Sequence, residues 1–241
     1  MELLIELKKR KFFKLHIDFD PIFIIISNSL NFSQLNLKPK EIYHFYNRGI
    51  NRQPIFFERD NYFYFLKKVK TYLVPNCHIL GFSLMPNHFH FLITPNERSN
   101  RPFRKSNRKP LKKRKGPFAH QTLFTWGLQQ LLSTYSRGIN KRYNRTGSLF
   151  QQNTKSKMTS AESLQEDYSL YCFMYIHNNA VAAGLVNSPS EYEFTSYNDY
   201  IENKTDSICN LALGKELLSL DLNEFEFQSS NIPTEIIKKI F

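Results

Sequence analysis

The chain has 241 residues, 41% hydrophobic and 15% aromatic, enough for one packed core with appendages and too apolar for an intrinsically disordered protein. Its formal net charge of +12 is uneven, because Glu97 to Gly116 holds ten Lys or Arg against one acid and so carries +9, leaving +3 elsewhere. Local basicity of this kind points to a polyanionic partner, nucleic acid before anionic membrane, and the three cysteines, without a CxxC pair, favour a reducing, cytoplasmic compartment over a disulfide or zinc scaffold.

Residues 1–38 read as an extension with no assigned fold. Its apolar run Ile22 to Ile26 is far shorter than the roughly 20 residues of a membrane helix, so no membrane partner is expected. The domain itself is expected over 39–200. It opens with a strand at Ile42 to Asn47, turned by Arg48-Gly49-Ile50-Asn51. Glu58 to Leu73 keeps helical spacing through Phe63, Leu66, Val69 and Tyr72 until Pro75 stops it. Cys77 to Met85 and His88 to Thr94 read as two strands joined at Pro86-Asn87.

The stretch 96–117 reads as a mobile basic loop within which Arg104, Lys105, Arg108, Lys109, Lys112, Lys113, Arg114 and Lys115 are candidate DNA contacts. With six to ten phosphate contacts, affinity would fall roughly 10³- to 10⁵-fold between about 50 and 200 mM salt. Phe118 to Tyr143 resumes helical periodicity despite Gly127 and Gly138. Leu149 to Met158 reads as a short fourth strand bearing Lys155 and Lys157, and Ser163 to Ala183 as a helix closed by Gly184. Residues 201–241 form an acidic, loosely helical tail. The order strand, helix, strand, strand, helix, strand, helix predicts an α+β fold, a ferredoxin-like antiparallel sheet with helices packed on one face.

The chemistry centres on Met85-Pro86-Asn87-His88-Phe89-His90-Phe91. On a strand, His88 and His90 share one face and Phe89, Phe91 and Ile93 the other. Two imidazoles on a rigid strand can donate two nitrogens to one divalent cation, and a third ligand must come from elsewhere. The same pair also suits a solvated sheet face. A helix could deliver a nucleophile and a third ligand one turn apart, because i and i+4 share a face. Tyr135 is followed at i+4 by Ile139 and Tyr171 by Tyr175, whereas Tyr175 is followed by Asn179, a neutral oxygen ligand. A tyrosine there could attack a phosphodiester covalently. An aromatic at helical spacing with Leu164, Tyr168 and Tyr171 equally fits a core position. His177, Lys155 and Lys157 are candidates for assisting or for holding phosphate.

These motifs carry a resemblance. Met85 to His90 resembles the paired-histidine motif of the HUH nucleases, and Tyr175 to Val186 the tyrosine-bearing helix of single-tyrosine transposases, in particular the REP-associated tyrosine transposases and their insertion-sequence-200-like relatives. Tyr43 to Gly49, Arg145 to Gln151 and Glu193 to Tyr197 agree, so the resemblance spans about Glu41 to Tyr200. It implies a metal-dependent endonuclease and strand transferase on single-stranded or hairpin DNA. His88, His90 and Asn179 would hold Mg²⁺ or Mn²⁺, and Tyr175 would form a 5′-phosphotyrosine. Arg48 would join the basic residues in gripping DNA, and a homodimer is one possible assembly. Relatives commonly carry Pro and Arg where this chain has Ala180 and Ala182, and more basic residues near Gln152 and Asn153, which weakens the expected DNA grip. A non-catalytic DNA-hairpin binding protein is the alternative; an RNA-binding module lacks its aromatic signature.

Overall fold

The computed structural model describes residues 37–103, 121–160, 168–221 and Phe225. Most of the expected N-terminal extension, and Arg104 through Lys115 of the basic loop, lie outside the described residues. The elements are β1 (Tyr43–Arg48), α1 (Arg59–Tyr72), β2 (His78–Met85), β3 (His88–Thr94), α2 (Leu123–Arg142), β4 (Lys155–Met158), α3 (Ser169–Ala182), α4 (Tyr197–Ile201) and α5 (Leu211–Leu217). The sheet runs β2-β3-β1-β4 with every neighbouring pair antiparallel. Strand order and pairing are those of the ferredoxin-like α+β arrangement that the element order predicts.

Period-two alternation gives the sheet two chemically different faces. On one, Phe45 lies opposite Phe91, and Phe82 and Leu84 lie opposite Phe91 and Phe89. Helices α1 and α2 cover this face. Phe65 of α1 meets the Phe89 ring at 5.3 Å, and Phe124 of α2 meets Phe45 at 5.1 Å, edge-on. Each such fully buried aromatic contributes about 1.5–3 kcal/mol. The two glycines that interrupt the α2 pattern have a packing reason. A Cβ at Gly127 would lie 2.2 Å from the Tyr72 carbonyl oxygen, and one at Gly138 would lie 2.7 Å from the Tyr64 hydroxyl. Both let α2 approach α1 closely.

Element ends follow local hydrogen bonding. Helix α2 starts at Leu123 because Thr122 accepts from the Thr125 amide while its own amide donates to the Thr125 hydroxyl, a reciprocal cap; Phe118, where the periodicity places the start, lies outside the described residues. The fourth strand is shorter than expected, because Leu149 and Gln151 bond to the end of β1 and the turn after it instead: Ile50 N donates to Leu149 O at 3.0 Å and Gln151 N to Arg48 O at 2.9 Å. Helix α3 ends as anticipated at Gly184, whose φ of 66° suits a residue without a Cβ. The start of the basic stretch is anchored, with Ser99 Oγ donating to Asn76 O at 2.6 Å and Phe103 stacked on Trp126 at 4.6 Å. Beyond Tyr200 the chain contributes Leu211, Leu218 and Phe225 to the core. No helix among the described residues is long and apolar enough to cross a membrane.

Helix α3 lies on the other face. The Gly81 position points at it so directly that an added Cβ would stand 3.0 Å from two Phe173 ring atoms and 3.3 Å from Ile176 Cδ1. Phe173 and Ile176 are both fully buried there.

Candidate active site

The face that α3 meets is the polar one. Register sets Arg48 opposite His88 and Tyr46 opposite His90 on β1 and β3, and sets Lys157 opposite His44 and Lys155 opposite Tyr46 on β4. Alternation therefore gathers His44, Tyr46, Arg48, His88, His90, Lys155 and Lys157 on one side of three strands. Directly across from His90 on β2 is Ser83, buried with a hydroxyl that has no hydrogen-bond partner among the described residues. The rings pack against one another: Tyr46 stacks on His44 at 5.0 Å and on His90 at 5.7 Å, while His88 meets His90 edge-on at 5.0 Å. The Lys155 ammonium sits 5.8 Å above the Tyr46 ring.

The hydrogen bonds of the two motif histidines determine which nitrogen each can offer. His88 Nδ1 lies 2.6 Å from Asn87 Oδ1. Asn87 is itself oriented by its Nδ2 donating to Arg52 O at 3.3 Å, so its oxygen faces the ring and His88 Nδ1–H donates. His88 Nε2 is left with the lone pair. The turn that carries Asn87 is pinned in turn, with Gly49 N donating to Asn87 O at 2.8 Å and Ile55 N to Pro86 O at 2.8 Å. His90 Nδ1 pairs with His44 Nε2 at 2.8 Å, both rings almost wholly buried and nearly parallel.

Burial keeps these rings neutral. It pushes His44 down to about 3, with Lys157 adding to the effect. Half-buried His88 is also pushed down to about 3, by its protein surroundings first and then by Arg48. His90 lies well below the ordinary range, through burial first and then His88, His44 and Arg48. A neutral imidazole is the form that ligates a cation.

Helix α3 brings Tyr175 to this face. Its half-buried ring stands edge-on to His90, with centroids 6.2 Å apart and planes at 85°. Asn179 follows one turn later on the same face of the helix. It is 7% exposed, and its amide nitrogen is buried with no hydrogen-bond partner among the described residues. A buried amide left so costs about 1–3 kcal/mol and calls for an explanation such as an absent ligand. A half-turn of the amide exchanges its nitrogen and oxygen, so the same place can present Oδ1 to a cation. Among the described residues no group of three or more His, Cys, Asp or Glu side chains is arranged to hold a metal. Beside His88 and His90, the Asn179 side-chain oxygen is of a type that could serve a cation as a third ligand.

His177, a candidate assistant on the sequence, is turned the other way. Its Nδ1–H donates to Phe173 O at 2.7 Å and its Nε2 pairs with Ser196 Oγ at 2.7 Å, in a fully buried setting against Phe173, Tyr197 and Phe225. Ser196 Oγ also accepts from Phe82 N at 2.9 Å, so His177 fastens α3 to β2. Lys155, Lys157 and Arg48 do stand on the histidine face. Sequence reasoning considered Tyr46 only as a surface for stacking bases and passed over His44, Ser83 and Asn87. The signal for His44 was present, since alternation in β1 puts it in line with Tyr46 and Arg48. What the sequence lacks is the β1–β3 register that sets these residues beside His90.

No family model matches the chain, and no curated protein matches it. Among solved structures, the chain is similar to a REP-associated tyrosine transposase bound to a REP hairpin, with 13% identity and a TM-score of 0.48, over 73% of this chain and 87% of that one.

Proposed function

We propose that this protein cuts and rejoins single-stranded DNA at hairpin-containing sites, as a metal-dependent tyrosine transposase or nicking enzyme, through a 5′-phosphotyrosine intermediate. The observation that carries this reading is the edge-on seat of Tyr175 against His90, which puts a phenol beside a strand presenting two neutral imidazoles. His88, His90 and Asn179 would hold Mg²⁺ or Mn²⁺, which supplies Lewis-acid polarisation of the scissile phosphate. Tyr175 Oη attacks phosphorus, the bond from phosphorus to the 3′-oxygen breaks, and the leaving oxygen takes up a proton as the phenol loses one. The free energy of the broken ester stays in the phosphotyrosine, so rejoining needs no nucleotide cofactor. Lys155, Lys157 and Arg48 supply positive charge on the same face for the DNA backbone.

The test is incubation of the full chain with labelled single-stranded hairpin DNA and Mn²⁺, followed by denaturing electrophoresis. The wild type is expected to form a denaturation-resistant adduct that EDTA prevents, and Tyr175→Phe to bind DNA without forming it. An adduct with Tyr175→Phe removes this residue as the nucleophile. Hairpin binding that survives EDTA with no adduct from the wild type turns the reading into that of a DNA-binding protein without catalysis.

A further inference from the structure

His44 carries no role in the reading above, yet it makes a close polar contact to a motif histidine from another strand. The contact is diagonal across the β1–β3 ladder, since His44 pairs in register with Leu92, two residues beyond His90. Its Nε2 lies 2.8 Å from His90 Nδ1. His44 is 0% exposed and His90 2%. Tyr46 stacks on both rings, so neither can swing away without breaking the stack.

One proton occupies that bond, and its position decides what His90 can do. If it sits on His90 Nδ1, His44 Nε2 is the acceptor, and His90 Nε2 keeps its lone pair for a cation. If it sits on His44 Nε2, the neutral His90 carries its own proton on Nε2 and cannot ligate there. His88 has the same device in another form, its Nδ1–H donating to the Asn87 amide oxygen. Both motif imidazoles thus have a fixed neutral group behind the nitrogen that is not needed.

We infer that His44 is a positioning residue that presents His90 to a divalent cation by accepting its Nδ1 proton and holding its ring against rotation; this rests on the metal-site reading of His88 and His90. The effect belongs to the outer partners of metal-ligating histidines, whose loss costs roughly 10- to 100-fold in metal affinity.

The experiment is Mn²⁺ titration of the full chain followed by electron paramagnetic resonance, with wild type, His44→Phe, which keeps a stacking ring but has no acceptor, and His44→Gln, which restores an amide oxygen. Thermal melting is measured on each. His44→Phe is expected to bind Mn²⁺ about 10- to 100-fold more weakly, and His44→Gln to recover part of the loss. A folded His44→Phe that binds as the wild type does overturns the inference and leaves the metal-site reading standing. A wild type that binds no Mn²⁺ overturns both. Where the variants fail to fold, long-range proton–nitrogen NMR on the wild type with Mg²⁺ decides. The Nδ1–H form of His90 supports the inference, and the Nε2–H form overturns it.

Discussion

Asn179 combines a stability defect with a proposed task. Its amide nitrogen is buried without a hydrogen-bond partner among the described residues, and an apolar side chain of similar volume would remove the cost of leaving it so. Asn179→Leu is therefore expected to raise stability by about 1 kcal/mol in urea unfolding while weakening Mn²⁺ binding. A variant that is less stable and binds Mn²⁺ unchanged would show that the amide belongs to the core alone. Tyr175 has no such tension, since its half-buried ring is already placed on His90 and the Tyr175→Phe substitution keeps that packing. Loss of the covalent adduct in that variant would thus report the hydroxyl and nothing else.

At the scale of elements, the distance of α3 from the sheet is set by what lies beneath it. Gly81 faces Phe173 and Ile176, and a methyl group there meets rigid ring carbons at 3.0 Å. Gly81→Ala is expected to lift the tyrosine helix, costing about 1–3 kcal/mol in stability and slowing adduct formation by more than stability alone explains. Equal adduct rates in folded Gly81→Ala and wild type would show that the seat of Tyr175 tolerates the shift. Much of this layering was legible in the chain. Alternation in Phe89, His90 and Phe91 announces a sheet with a greasy side and a polar side, and the i to i+4 spacing of Tyr175 and Asn179 identifies the helix face that meets it. What the chain does not spell out is cross-strand register, which depends on many weak pairings at once. That is why the place of His44 beside His90 is not legible in the chain; likewise His177, two residues after the proposed nucleophile, fastens α3 through the distant Ser196.

For the whole molecule, the buried histidines bind its stability to pH. His44 and His177 are pushed down to about 3 and His90 well below the ordinary range, in each case chiefly by burial, against about 6.5 in an unfolded chain. Above pH 6.5 the rings are neutral in both states. Between 6.5 and about 3 the unfolded chain binds protons that the folded one refuses, so stability falls as pH falls, by up to about 1.4 kcal/mol per pH unit for each ring. Against a total of roughly 5–15 kcal/mol for an ordinary domain, the urea midpoint should drop steeply between pH 7 and pH 5. A flat midpoint across that range would mean that the rings are not held neutral. The proposed ligands have a consequence of their own. Two imidazoles and an amide bring no negative charge to a doubly positive ion, on a face that already carries Arg48, Lys155 and Lys157. In the proposed reading the DNA phosphate supplies the missing counter-charge. Cation and strand should then each tighten the other by the same factor. The protein alone would still bind the metal, more weakly than in its complex with DNA, and the reactive centre would be completed by its own substrate.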